Sequence, residues 1–320
     1  MLREPLFRPS ICRRPPVGRK PVTMCAAGIN HFPKSPTYIM AVSDRKFSWG
    51  HMSTDVGWKM QTIHRKWRVM FAGPLSPMVA LIDAVRTAAA NAENNSLRPF
   101  ARLCSRAYRE EREHIIETEV LAEHDLHSYA EYQNLKTSEK TTDRQLFDLI
   151  AGKIKRQEEE WNLLFMGFDA VDRPHLFVIT EYGKIQYCDA EGFAVIGSGF
   201  WAAYNALARF GFNKALPRAH AAYGLLAAKF AAESADGVGE NTAFMLLKAS
   251  DRLGRTVPGL NENDIARIKN VWKNMPTFPP GAPDYLEQAI AQGDREHQTK
   301  TENPLRGFTR SASRKSKRAR

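Results

Sequence analysis

The apolar residues of this chain come in blocks, and the order of the blocks limits the folds open to it. Short apolar runs lie at 23–29, 37–43, 55–63 and 66–72, separated by polar turns. A second set lies at 161–169, 175–181, 184–188 and 193–196, divided by Asp172-Arg173-Pro174 and Gly183, and a last run spans 242–248. Short runs rich in Phe, Ile, Val and Tyr between turn residues predict strands in a meander. Between the blocks the spacing becomes helical. Met78, Leu81, Ile82 and Val85 follow Pro77, and Phe100, Leu103, Cys104, Ala107 and Tyr108 follow Pro99, a residue suited to a first helical turn. The polar stretch 123–143 reads as an exposed loop or frayed helix, and 143–157 as a short amphipathic helix. Further helices are expected at about 200–211, after Gly197-Ser198-Gly199, and at 216–233, closed by the glycines of Asp236-Gly237-Val238-Gly239. Two more are expected near 262–274, with Asn261 and Asp264 at its start, and 282–291. Strands, helices, strands, helices, strand is the order of two antiparallel sheets with helices outside them, an α+β layered fold. A doubly wound parallel sheet would need strict alternation, which is absent.

Composition narrows the function classes. The formal charge is +11 over 320 residues, but residues 1–22 carry +5 and 305–320 carry +7. The body is left near −1, so a nucleic-acid partner is expected only weakly, through the two basic tails. Proline and charge at 1–22, around Arg13-Arg14-Pro15-Pro16, resist packing. The chain thus divides into a basic extension or propeptide at 1–22, a folded domain at 23–292 and a disordered basic tail at 293–320. Cys12, Cys25, Cys104 and Cys188 show no metal-ligand spacing, and a chain of this size needs no disulfide staples. With no secretory apolar run and no 18-residue apolar window, a cytoplasmic location and no membrane partner are expected.

The chemistry concentrates in 23–73. A threonine hydroxyl is a poor nucleophile near neutral pH unless a base adjoins it, and the free α-amine of the same residue can be that base. A neighbouring ammonium favours the neutral amine and the developing alkoxide, and a carboxylate holds the ammonium in place. Thr23-Met24-Cys25-Ala26-Ala27, Val42-Ser43-Asp44-Arg45 and Trp58-Lys59-Met60 supply these groups in that order. The order and spacing resemble the proteasome β-subunit family of N-terminal-nucleophile hydrolases, in its bacterial proteasome-like branch. Phe71-Ala72-Gly73 is similar to that family's turn into its first helix, 165–169 and 175–179 to its central hairpin, and Gly197-Ser198-Gly199 to its glycine-serine-glycine turn. The resemblance covers about 23–248. It implies a four-layer αββα sandwich, a catalytic set of Thr23, Asp44, Lys59 and Ser198, no cofactor or metal, a peptide or amide substrate, and a homo-oligomeric ring. A partner unfoldase is not readable.

The chain departs from the family at two places. Val238 stands where many members carry the Ser of an Asp-x-x-Ser-Gly-Gly segment, and 22 residues precede Thr23. Val22 occupies the place of the relatives' initiator Met, so the mature start is expected at Thr23, through an alternative start at Val22 or through cleavage of 1–22. Retained, the extension would leave a catalytically silent structural or interaction module. Among other residues, Cys25 reads as a small buried hydrophobe. His114, His124 and His127 read as a polar face, Glu110, Glu111, Glu113 and Glu117 as a solvated helix face, and the six tryptophans as core or interface anchors.

Overall fold

The structure is a computed structural model. It describes residues 23–293 except 50–51, 55–56, 65, 91, 93–95, 159–160, 236, 250–256 and 275–285, so the basic extension and nearly all of the tail lie outside the described residues.

The elements in chain order begin with β1 (Cys25–Asn30), β2 (Tyr38–Asp44), β3 (Phe47–Trp49), β4 (Met52–Thr54), β5 (Met60–His64) and β6 (Trp67–Ala72). Four helices follow, α1 (Leu75–Ala90), α2 (Leu97–Ile116), α3 (Tyr129–Thr137) and α4 (Thr141–Glu158). Then come β7 (Asn162–Phe168), β8 (Pro174–Thr180), β9 (Lys184–Tyr187), β10 (Phe193–Ile196), α5 (Phe200–Phe210), α6 (Arg218–Ala232), β11 (Thr242–Lys248), β12 (Val257–Pro258) and α7 (Glu262–Asn274). A last helical segment occupies 286–293.

Two five-stranded sheets carry the fold, ordered β10-β1-β2-β11-β12 and β5-β6-β7-β8-β9, with every described pairing antiparallel. Side chains alternate across a strand, and here both faces are covered. Met24, Ala26, Met40, Val42 and Phe244 of the first sheet meet α5, α6 and α7. Cys25, Ala27, Ala41, Met245 and the facing Met70, Leu164 and Met166 fill the space between the sheets. Trp67, Val69, Phe165 and Phe177 turn outward onto α1 and α2, with Trp67 stacked 4.5 Å from Phe100. Burial on both faces is why β1, β2 and β6 read as continuous apolar runs rather than alternating ones. The result is the four-layer αββα sandwich.

Three expectations need correction. The stretch 123–143 contains an ordered helix, α3, and α4 begins at Thr141. Leu126, Tyr129, Tyr132, Leu135, Leu146 and Phe147 pack with Val120, Leu121, Ile150 and Ile154 into a small satellite core. Its apolar residues are spread thinly enough to read as polar sequence. The run expected at 55–63 becomes strand only from Met60. Ahead of it the chain makes a closed excursion through the β3–β4 hairpin and returns where the Gly57 N–H donates to the Arg45 carbonyl at 3.1 Å. The helix α6 ends at Glu233 in ordinary right-handed conformation; Gly237, at φ 83°, turns the connection four residues later. Trp67 and Trp161 are core anchors as expected, whereas Trp58 and Trp201 are exposed.

One titratable tie joins the two sheets. His175 Nδ1 lies 2.6 Å from an Asp189 oxygen, and its Nε2 lies 3.3 Å from Asp169. Asp189 belongs to the connection from β9 to β10, where the chain crosses between sheets. Burial opposes the charged ring, but the two carboxylates outweigh it and raise the His175 pKa. A raised folded-state value favours the fold below the ordinary imidazole range, and that contribution fades as pH rises through it. Urea midpoints should therefore fall from about pH 6 upward, and His175→Gln should flatten the slope in that window. An unchanged slope in the variant would assign it to other groups.

Candidate active site

The site forms where the first sheet meets the start of β5. Thr23 immediately precedes β1. Its carbonyl accepts from the Gly199 N–H and the Ser198 hydroxyl, both at 3.3 Å, and its own N–H donates to Ser198 Oγ at 3.1 Å. This embrace requires Gly197. Its φ is 97°, and a Cβ there would fall 2.3 Å from the Thr23 carbonyl oxygen. Gly197→Ala should cost about 3 kcal/mol from strained φ and steric overlap, read as a shift in urea midpoint. A loss below about 1 kcal/mol would mean the turn relaxes without cost.

Asp44 ends β2 and is fully buried. Its Oδ1 accepts from the Thr23 hydroxyl, the Met24 N–H and Lys59 Nζ, each at 2.8 Å. Its Oδ2 accepts from Lys59 at 2.9 Å, the Lys46 N–H at 3.2 Å and the Gly239 N–H at 3.4 Å. Lys59 is 2 % exposed and also donates to Thr23 Oγ1. Such a carboxylate, with an ammonium and three backbone donors, has its lone pairs satisfied without water. The 45–57 excursion explains the meeting: Asp44 leaves the first sheet, the hairpin loops out, and the return at Gly57 delivers Lys59 to the same place. All four residues expected at the site, Thr23, Asp44, Lys59 and Ser198, are thus brought together.

Cys25 stays outside this chemistry. It lies between the sheets, and burial pushes its thiol up to about 12, with Lys59 opposing, so it is a thiol at neutral pH. Val238 is an apolar packing residue whose Cγ2 would lie 3.2 Å from a Cβ on Gly199; Asp236 lies outside the described residues. Among the described residues no cluster of His, Cys, Asp or Glu could hold a metal ion, and no helix is long and apolar enough to cross a membrane.

Sequence reasoning missed Lys229. It is fully buried on α6, donates to the Glu240 carbonyl at 2.8 Å and pairs with Glu233. Glu233 also pairs with Lys269 of α7 at 2.6 Å. Burial lowers the Lys229 pKa, with Glu233 opposing. The ammonium anchors the loop whose Gly239 N–H reaches Asp44. The signal was a lysine inside Leu225-Leu226-Ala227-Ala228-Lys229-Phe230, with a carboxylate four residues on. At the start of α7, Glu262 pairs with Arg45 at 2.7 Å, so one helix grips both the residue after Asp44 and the α6 end of the 237–240 loop.

Neither a family model nor a curated protein matches the chain. Solved structures do. An Anbu Gly-1 mutant from Hyphomicrobium sp. strain MC1 is 17 % identical with a TM-score of 0.53, over 79 % of this chain and 94 % of that one. Anbu, described as an ancestral β-subunit, from Yersinia bercovieri is 15 % identical with a TM-score of 0.52, over 81 % of this chain and 98 % of that one. The chain is similar to these proteins across nearly their whole length, and the proteasome-like αββα fold is the fold it has.

Proposed function

We propose that the protein is a threonine-type amidohydrolase or peptidase whose nucleophile is Thr23 exposed at a mature N-terminus. The observation that carries this reading is the convergence of Lys59, Asp44 and Ser198 on Thr23, in a buried setting that strengthens each polar contact. With a free amine at Thr23, the hydroxyl proton passes to that nitrogen as Oγ1 bonds to the amide carbon of the substrate. The ammonium so formed protonates the leaving nitrogen as the C–N bond breaks, leaving an ester on Thr23. Water then attacks the ester by the same proton route, releasing the acid and restoring the hydroxyl. Lys59 supports the developing negative charge on Oγ1, and Asp44 keeps Lys59 and the Met24 N–H aligned. Ser198 holds the Thr23 nitrogen. Its hydroxyl and the Gly199 N–H are used on the main chain of Thr23, so they orient the nucleophile rather than the oxyanion.

Similarity to a chain described as an ancestral β-subunit supports self-assembly, which we extend to a homo-oligomeric ring acting on peptide or amide substrates. A second reading rests on one observation. With residue 22 attached, the Thr23 nitrogen is an amide N–H donating to Ser198 and has no basic lone pair. A chain that keeps its extension would be a silent structural module. Intact mass and N-terminal sequencing of the protein from its native host separate the two. A chain beginning at Thr23 that hydrolyses amides supports the hydrolase; one beginning at Met1 with no hydrolysis refutes it.

A further inference from the structure

The exposed face of α2 carries a charge order that reads as its own complement. Arg102, Arg106 and Arg109 occupy the first part of the stripe, and Glu110, Glu113 and, at the C-cap just past α2, Glu117 the second. Five are exposed and Glu117 half-buried. At the helical advance of about 100° per residue, all six lie within about 50° of one direction on the helix surface. Turned end for end about a two-fold axis between residues 109 and 110, the stripe sets Arg102 opposite Glu117, Arg106 opposite Glu113 and Arg109 opposite Glu110. Arg106 and Arg109 meet exposed glutamates; Glu117, whose carboxylate also accepts from the Tyr129 N–H at 2.8 Å, meets Arg102 at the rim, over a length of about 22 Å.

The arrangement does nothing for the helix itself. Arginines toward the N-terminus and glutamates toward the C-terminus both oppose the helix dipole. Arg106 and Glu110, like Arg109 and Glu113, stand four apart with the cation first, the weaker order for a pair within a helix. Among the described residues Arg102, Arg106, Glu110 and Glu113 have no ion-pair or hydrogen-bond partner. Arg109 Nε bonds only the Ser105 carbonyl of its own helix, at 3.4 Å. On the flank of the stripe stands Tyr182, its ring 5.0 Å from the Arg112 guanidinium. It is 55 % exposed and held at φ 58°, a conformation costly for an aromatic residue, while the next residue, Gly183, packs against Arg109. An exposed aromatic flanking a charged stripe is the make-up of an interface anchor with a polar surround.

We propose that α2 is a self-association surface, on which a second copy of this chain docks its own α2 antiparallel across a two-fold axis near residues 109 and 110. The contact is isologous, and it is independent of whether Thr23 is catalytic. Electrostatic contacts of this exposure are weak singly and screened by salt, so the contact forms at low ionic strength and loosens as salt rises.

Sedimentation velocity on the full chain tests this, with circular dichroism to check that each variant is folded. At low salt Arg106→Glu and Glu113→Arg should each weaken this association step about tenfold or more, because symmetry breaks two pairs at once. The double variant R106E/E113R restores opposite charges across the axis and should recover the association. A chain carrying R102E/R106E/R109E and another carrying E110R/E113R/E117R should each lose this salt-sensitive association step and should regain it when mixed. Any of three results overturns the proposal: single reversals without effect, a double variant no better than the singles, or a chain that gains no salt-sensitive association step at any concentration. The triple-variant mixture keeps the question decidable if one single variant misfolds.

Discussion

A chain beginning at Thr23 should hydrolyse small peptide amides, and Thr23→Ala in that chain should lose about 10⁴-fold or more in kcat, the scale of removing a hydrolase nucleophile. The same chain with one residue before Thr23 should be as inactive as the alanine variant. In both cases a necessary group is missing: the hydroxyl in one, the basic nitrogen in the other. The contrast matters because the added residue leaves Lys59, Asp44 and Ser198 in place. Equal activity with and without the added residue would show that the Thr23 nitrogen is not the base. Steady-state hydrolysis of a fluorogenic peptide amide, with intact-mass detection of the transient ester, measures both variants.

The second large effect concerns stability. Removing one partner of a buried ion pair leaves the other charge without compensation, typically at about 3–5 kcal/mol. The two partners here are not equivalent. Without Lys59, Asp44 still accepts from the Met24, Lys46 and Gly239 N–H groups. In Asp44→Asn, Lys59 is 2 % exposed and faces an amide in place of the carboxylate, with the Thr23 hydroxyl left as an acceptor. Asp44→Asn should therefore cost about 4–5 kcal/mol and Lys59→Met about 2–3 kcal/mol. The double variant should be more stable than Asp44→Asn alone, since it removes the buried ammonium along with the carboxylate. Urea unfolding of the three proteins measures the order. Lys59→Met as the more damaging single change would show that the backbone donors do not sustain the carboxylate.

Much of the sandwich was legible because its strands are short and buried on both sides. β1, β2, β6, β7, β8 and β11 each appear as an apolar run with turn residues at the ends, and the blocks keep the order of the layers. What failed to show was structure held by few apolar residues. The β3–β4 hairpin is two three-residue strands, too short for a periodic signal. The helix α3 depends on Tyr132 and its neighbours meeting α4 and the end of α2, and a stretch dominated by Glu, His, Asp and Ser hides them. The end of α6 near 233 is legible, but its cap is not: Glu233 is right-handed, and the left-handed Gly237 lies four residues on, in the connection.

The sequence by itself determined the alternation, the segregation of strands from helices and the residue types a threonine nucleophile needs. Those properties are local: they follow from side-chain size, from period along the backbone and from charge. The tertiary structure decided which of them meet. Lys59 reaches Asp44, 15 residues before it, because the intervening hairpin closes at Gly57, and Ser198 reaches Thr23 across 175 positions because β10 lies beside β1. The role of Lys229 was decided in the same way. A lysine in an apolar helix with Glu233 four residues on shows in the sequence, but the Glu240 carbonyl that accepts from it and the pairing of Glu233 with Lys269 are known only once α6, α7 and the 237–240 loop pack together.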